Sequence, residues 1–161
     1  MSRAFVKEDD SAPPPPLERP ISSAPNLVTA RGARLIDEEV GKLEAALAAE
    51  PDEAKAAPIR RDLNYWLARR ASAQLVEADA EARAVGFGTR VRILREGEES
   101  EIHIVGEDEA DPDRGLIAWT SPLARALEEG EAGDLVELSA GGRIVEVEIL
   151  EVGRGVGEEP A

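Results

Sequence analysis

The stretch that decides the fold is residues 102–130, IHIVGEDEADPDRGLIAWTSPLARALEEG. Ile102 and Ile104 alternate with polar residues, which is typical of a strand with one buried face. A second short apolar run follows the acidic segment, and Ser121-Pro122 then supplies an N-cap and a first-turn proline for a short helix. Strand, loop, strand and helix in this order predict a small α+β domain.

The residues on either side of this stretch continue the strand pattern. Apolar and polar residues alternate over 91–93, and further strands are predicted over 135–138 and 145–149. A glycine pair at 141–142 separates the last two segments, and such a pair is typical of the turn of a β-hairpin. The C-terminal module is therefore expected to contain four or five strands around one short helix.

Two amphipathic helices are predicted upstream. Thr29 is a suitable N-cap, and apolar residues of the first helix then recur at spacings of four, three and four. The second helix is expected to open near Pro58, which suits a first helical position. Since only a short turn around Pro51 separates them, the helices should pack antiparallel as a hairpin. Residues 73–77 fit either the end of the second helix or a connecting strand.

The chain divides into four predicted parts. Six of the 11 prolines lie between residues 11 and 26, and proline lacks a backbone donor, so this stretch is expected to be extended. The parts are a Pro-rich flexible tail at 1–27, an antiparallel coiled-coil hairpin at 28–77, a small sheet domain at 78–152 and a flexible tail at 153–161.

Composition excludes several classes of function. The net charge is −15, and residues 86–161 hold 19 of the 34 acidic residues against 7 basic ones. This sign disfavours direct nucleic-acid binding, which needs basic side chains for the phosphates. With no cysteine and one histidine, thiol chemistry and His-based metal clusters are excluded. No segment resembles a signal peptide or a membrane span, so a cytoplasmic protein is expected.

Charged clusters are the remaining candidates for chemistry. Asp52 and Glu53 fall at the predicted tip of the hairpin, where acids are ordinary turn residues unless the hairpin inserts into another molecule. The acids of 107–113 lack the spacing of a calcium loop and fit a solvated connection. His103 is expected to be a solvated strand residue. Four arginines of the second helix either form an exposed face or contact RNA or an acidic protein surface: Arg60, Arg61, Arg69 and Arg70.

Several motifs of the C-terminal half occur in the order and at the spacing of one known family. They are FGTRV at 87–91, IVGEDEAD at 104–111, GLI at 115–117, SPLARAL at 121–127, GDLV at 133–136 and GG at 141–142. In these residues the chain resembles the Gre family of bacterial transcription elongation factors, over most of 86–151. SRAFVKE at 2–8 also resembles the opening of the GreB branch.

The resemblance implies a two-part molecule and a partner. A coiled coil would enter the secondary channel of RNA polymerase, while an FKBP-like antiparallel sheet domain with one short helix would grip the channel rim. Acids at the tip would help the polymerase hold a catalytic Mg²⁺. The protein would therefore stimulate RNA cleavage by the polymerase, without being an enzyme or carrying a cofactor of its own. It would be a monomer and would meet nucleic acid only within the elongation complex.

Carried over to this sequence, the resemblance also assigns partner-binding residues. Ser121, Pro122 and Leu123 would lie near the polymerase contact. Asp108 or Asp111 would offer negative charge to a basic partner.

The sequence departs from the family at the tip. The acidic G-D-L-x-E-N-A-E-Y motif is absent, and about ten residues lost from each arm shorten the hairpin by about 15 Å. This leaves Asp52 and Glu53 short of the usual metal position, unless they act as a relocated acidic pair. We therefore expect a Gre-type factor that regulates elongation or transcript cleavage at the secondary channel, with a non-cleaving, channel-occupying inhibitor as one form of it.

Two other classes of protein are considered. An FKBP-like prolyl isomerase or peptide-binding adaptor is disfavoured, because Phe87 and Trp119 are the only aromatic residues of 86–161 and an isomerase pocket needs an aromatic lining. A scaffold that dimerises through its coiled coil is the third class.

Overall fold

The structure, a computed structural model, describes residues 18–155. The helices are α1 (Ala30–Ala48), α2 (Glu53–Ser72) and α3 (Pro122–Leu127), with one 3₁₀ turn at Pro112–Arg114. The strands are β1 (Leu27–Val28), β2 (Gln74–Leu75), β3 (Thr89–Arg95), β4 (Glu98–Val105), β5 (Leu116–Ala118), β6 (Leu135–Ala140) and β7 (Arg143–Arg154). No helix within these residues has the length and apolar character that crossing a bilayer requires.

Helix α1 begins where the sequence predicts. The Thr29 hydroxyl accepts a hydrogen bond from the backbone N–H of Gly32 at 3.0 Å, which satisfies one of the free donors of the first turn. Ile36 and Val40 are buried on the inner face, and the helix ends before the turn at Pro51. The predicted cap and apolar stripe are confirmed.

Helix α2 begins five residues earlier than predicted, at Glu53. Asp52 caps it, because its carboxylate accepts from the N–H of Ala54 at 2.9 Å, and the N–H of Ala56 bonds to the Asp52 carbonyl at 2.8 Å. Pro58 therefore lies inside the helix and not at its start. The cap of an acidic side chain, followed by good helix formers, outweighs the preference of proline for the first position.

A short parallel pair closes the base of the hairpin. β1 pairs with β2, with Leu27 opposite Gln74 and Val28 opposite Leu75. For residues 73–77 the sequence allows either the end of a helix or a strand, and the structure shows that they include a strand. The two helices between β1 and β2 pack along each other, so the predicted helical hairpin is confirmed.

The second sheet has the strand order β5-β4-β3-β7-β6. Three of its neighbouring strand pairs are antiparallel and one, β4 with β5, is parallel, so the predicted antiparallel sheet gains one parallel strand at its edge. Two consecutive strands can run parallel only if the connection between them returns the chain to the end of the sheet where the first strand began. Residues 106–115, named here the crossover segment, provide that connection and include the acidic motif. The molecule is thus α+β, with a mixed sheet.

The core of the sheet domain lies on one face, beneath α3. Leu127, Val91 and Ile149 are fully buried there, and each comes from a predicted element. The hairpin β6–β7 turns through Gly141 and Gly142, whose φ values of 59° and 80° are the left-handed conformations that this turn requires.

The structure moves the inner boundary of both predicted tails. Residues 1–17 and 156–161 lie outside the described residues. Residues 18–26 are not a free tail, because the Arg19 guanidinium stacks 3.9 Å from the centre of the Tyr65 ring on α2 and Asn26 is buried. At the other end, β7 continues to Arg154, so residues 153 and 154 belong to the sheet.

Candidate functional site

The two acids at the hairpin tip have partners within the chain. Asp52 is the N-cap of α2 and is exposed, and its own N–H donates to the Glu50 carboxylate at 3.1 Å. The side chain of Glu53 is 86% exposed, and its carboxylate lies 3.7 Å from the Arg60 guanidinium. The sequence therefore placed both acids correctly at the turn, where each takes part in local contacts.

These contacts decide how well the tip fits a magnesium ion. One carboxylate oxygen of Asp52 already accepts the hydrogen bond that caps α2. The positive charge of Arg60 beside Glu53 would repel a metal ion bound there. Within residues 18–155, no three Asp, Glu, His or Cys side chains converge as a metal site. Because Mg²⁺ demands near-ideal geometry from its oxygen ligands, the two acids do not fit a magnesium site held by this chain.

The four arginines of α2 do not form one exposed face. Arg70 and Arg60 are exposed, and Arg61 lies 3.3 Å from the neighbouring Asp62. The Arg69 side chain is 1% exposed, so its prediction as a contact for RNA or a channel is wrong. Consecutive residues of a helix are about 100° apart around its axis, which turns Arg69 inward beside the exposed Arg70.

Arg69 is buried against the crossover segment. Its Nε lies 2.5 Å from the Asp108 carboxylate, whose side chain is 8% exposed. The Tyr65 hydroxyl donates to the other oxygen of the same carboxylate. Asp108 was predicted to offer charge to a partner, and this is wrong, because both of its oxygens already have partners inside the molecule.

Asn26 joins the same cluster from the N-terminal side. Its side-chain oxygen accepts from Arg69 Nη2 at 2.7 Å, and its side-chain nitrogen donates to the Arg69 carbonyl at 2.8 Å. We call Asn26, Tyr65, Arg69 and Asp108 the Arg69 cluster. Sequence reasoning missed Asn26 and Tyr65. The available signal was the spacing of Tyr65 and Arg69, because residues four apart share one face of a helix.

The cluster changes the acidity of its tyrosine. Burial raises the pKa of Tyr65 to about 12, and the hydrogen bond to the Asp108 carboxylate adds to this shift. Loss of the phenolic proton would place a second negative charge against Asp108. The Tyr65 hydroxyl is therefore a hydrogen-bond donor throughout the physiological range.

A second contact lies next to the Arg69 cluster. The Thr29 hydroxyl donates to Glu109 Oε2 at 2.6 Å, and Arg31 Nε lies 3.8 Å from the other oxygen. The Glu109 side chain is 1% exposed and lies at the N-terminus of α1, where the helix dipole favours a negative charge. Glu109 was not singled out in the sequence, because it sits among other acids.

The remaining predicted residues lie in the sheet domain. Asp111 is half-buried, and its backbone exchanges hydrogen bonds with Leu116 at 2.8 and 3.0 Å. Ser121 caps α3 by accepting from the Ala124 N–H at 3.3 Å. Pro122 is exposed, whereas Leu123 is half-buried and packs against the core. Of the three residues at this corner, Pro122 offers the free surface.

His103 is less solvated than predicted. Its side chain is 13% exposed, and its Nε2 lies 3.4 Å from the Glu101 carboxylate. Burial lowers the pKa of His103 from its ordinary value. The neutral imidazole is thus the favoured form in the folded protein.

Comparison with known proteins decides the family. Residues 80–154 match the family model described as Transcription elongation factor, GreA/GreB, C-term. The transcription elongation factor GreA of Alkalilimnicola ehrlichii is 32% identical over 151 residues, which cover 78% of this chain and 95% of the relative. The chain belongs to the GreA/GreB family.

Two further proteins resemble this Gre-family chain. GreA of Magnetococcus marinus is 38% identical over 85 residues, or 51% of this chain and 54% of the relative, so this match spans about half of that protein. A solved GreA/GreB structure from Nitrosomonas europaea is 22% identical, with a TM-score of 0.39 over 81% of this chain and 98% of that one.

This Gre-family chain lacks part of its relative's length. The alignment to the Alkalilimnicola GreA has 151 positions. It includes 78% of this chain's 161 residues, which is about 126 residues. About 25 of those positions therefore have no counterpart here.

Proposed function

We propose that this Gre-family protein docks on RNA polymerase by its C-terminal domain, at the rim of the secondary channel, and regulates elongation from there. Its short hairpin would occupy part of the channel. The protein would act in the cytoplasm as a monomer and would meet nucleic acid only through the elongation complex. Any hydrolysis of RNA would take place in the active site of the polymerase.

The C-terminal domain supports the docking part of the proposal. The family match covers residues 80–154, and the sequence of 86–161 contains 19 acidic residues against 7 basic ones. An acidic surface suits a basic protein partner, because complementary charge speeds association and selects the partner. Pro122, exposed at the start of α3, is the residue through which we expect the contact to be made.

The hairpin tip supports the regulatory part, and it is the observation that carries the proposal. The arms contain 19 and 20 residues, so each is about 30 Å long at 1.5 Å per residue. Of the two acids at the tip, Asp52 caps α2 and Glu53 lies beside Arg60. A factor of this form would fill channel space while contributing little to metal binding. Any magnesium ion in the reaction would belong to the polymerase.

The docking surface can be tested with a pair of matched proline variants. Pro122 and Pro112 are both exposed and both begin a helical turn. Pro122→Ala should weaken binding to the cognate polymerase in a fluorescence titration, whereas Pro112→Ala should bind like the unmodified protein. Unchanged affinity of the Pro122→Ala protein would count against this docking surface.

A further inference from the structure

Two consecutive acids of the crossover segment hold the two helices of the hairpin separately. Asp108 contacts Tyr65 and Arg69 on α2, while Glu109 contacts Thr29, the N-cap of α1. A single contact would leave the hairpin free to rotate about it. Attachment at two points, one on each helix, removes that freedom and defines one direction of the hairpin relative to the sheet.

Two glycines permit a close approach between the crossover segment and the base of the hairpin. A Cβ at Gly106 would overlap the carbonyl oxygen of Leu27 in β1. A Cβ at Gly32, in the first turn of α1, would lie 3.0 Å from Glu109 Oε2. The crossover segment is thus in direct contact with the base of the hairpin. Among the described elements, neither long helix packs broadly on the five-stranded sheet.

We infer that Arg69 is a positioning residue, which sets the direction of the hairpin on the sheet domain. Its planar guanidinium bonds in two directions at once, to Asp108 at 2.5 Å and to Asn26 at 2.7 Å. It therefore joins the N-terminal segment, α2 and the crossover segment. Lysine cannot reproduce this, because an ammonium group lacks the rigid fork of donors.

The energetics of a buried ion pair also suit the Arg69 cluster to orientation rather than to stability. Burying an ion pair removes both charges from water, and an apolar pair of similar volume often stabilises a protein equally well. Apolar side chains, however, have no directional preference, whereas the hydrogen bonds of Arg69 fix angles as well as distances. Replacing the buried ion pair by apolar residues should therefore preserve the stability of the fold, but it should not preserve the direction of the hairpin.

The length of the hairpin amplifies small changes at its base. Asp52 is seventeen residues from Arg69 along α2, or about 25 Å at 1.5 Å per residue. A tilt of about 10° at the base would then move the tip by about 4 Å. The direction set by Arg69 consequently determines where the tip lies relative to whatever the sheet domain contacts.

The chain contains no cysteine, so two introduced cysteines can carry spin labels without a background. We would place them at Ala49→Cys beside the tip and at Ser139→Cys on β6, both of which are exposed. Pulsed electron spin resonance on the full chain should give one narrow distance distribution. In the Arg69→Ala protein the distance distribution should shift or broaden by about 4 Å or more, because the tip lies about 25 Å from Arg69.

Matched variants make the outcome decisive. Arg70→Ala, at the exposed neighbour, should leave the distribution unchanged, and Arg69→Lys should give an intermediate width. If Arg69→Ala does not fold, the Arg69→Met/Asp108→Leu double variant replaces it, because it leaves no unpaired buried charge. A distribution with both the mean distance and the width of the wild-type protein, in a folded double variant, would overturn the inference. The measurement uses the free protein, so its result is independent of the docking proposed above.

Discussion

Asp108 illustrates how a single buried charge depends on its partner. It lies 2.5 Å from Arg69, and both side chains are nearly inaccessible to water. Removing one member of such a pair leaves the other charged and unsolvated, which typically destabilises a protein by about 3–5 kcal/mol.

We therefore expect Asp108→Ala to lower the free energy of unfolding by about 3–5 kcal/mol in a urea titration. The control is Asp113→Ala, an exposed acid of the same crossover segment, which should change stability by no more than about 0.5 kcal/mol. Equal effects of the two substitutions would show that the buried ion pair does not have the role assigned to it.

Tyr65 provides a test of the same cluster by pH. Its pKa is raised to about 12 in the folded protein, against about 10 in an unfolded chain. The stabilisation from this group is complete below pH 10, and it is lost as the pH rises toward 12. The free energy of unfolding should fall over this range, and it should fall less in Tyr65→Phe.

The titration can be observed directly, because Tyr65 is the only tyrosine of the chain. Ultraviolet absorbance should show tyrosinate forming with a midpoint near pH 12 in the native protein. Asp108→Asn should move that midpoint downward, since the carboxylate opposes ionisation. A native midpoint near that of a free tyrosine would contradict the placement of the hydroxyl against Asp108.

At this scale the sequence predicts part of the candidate site. Asp52 and Glu53 could be assigned to the hairpin tip, because a proline and two helical stripes define the turn. Arg69 and Asp108 could not be paired. Arg69 has the same local pattern as Arg70, and the path of the crossover segment determines which of its acids turns inward.

At the scale of elements, Pro58 interrupts the hydrogen bonding of α2. It lies inside the helix, so the carbonyl of Ala54 lacks its usual donor, and a proline in a helix interior typically costs about 3 kcal/mol. The first turn of a helix tolerates proline better, and Pro58 lies only just beyond it.

We accordingly expect Pro58→Ala to raise the free energy of unfolding by about 1–3 kcal/mol, measured by chemical denaturation. Pro51→Ala is the matched control, because Pro51 lies in the turn, where proline limits the unfolded chain and breaks no helical bond. It should lower stability slightly or leave it unchanged. The account of α2 would be wrong if Pro58→Ala gave no gain.

The pattern of the sequence predicts the longer elements well. Strands β3, β4, β6 and β7 bury one face, so apolar and polar residues alternate in them, and α1 shows a clear stripe for the same reason. β1 and β2 contain two residues each, which is too short for any periodicity. The parallel direction of β5 depends on the path of the crossover segment. The pattern of apolar and polar residues within β5 does not predict that direction.

At the scale of the whole molecule, the chain has two parts, for which we propose different tasks. The C-terminal domain carries the family match over 80–154 and most of the negative charge, which suits it for docking. The hairpin carries the tip at the end of two helices of 19 and 20 residues. The Arg69 cluster connects the two parts, so in the proposed complex it would link the docked domain to the position of the tip.

RNA cleavage in backtracked elongation complexes of the cognate polymerase tests the central claim most directly. The protein would be added alone, and then in competition with a long-armed Gre factor. We expect little cleavage by the protein alone, together with suppression of the competitor's activity that Pro122→Ala relieves. Efficient cleavage by the protein alone that is lost in Asp52→Ala/Glu53→Ala would contradict the account, because it would demonstrate a tip that supplies metal ligands.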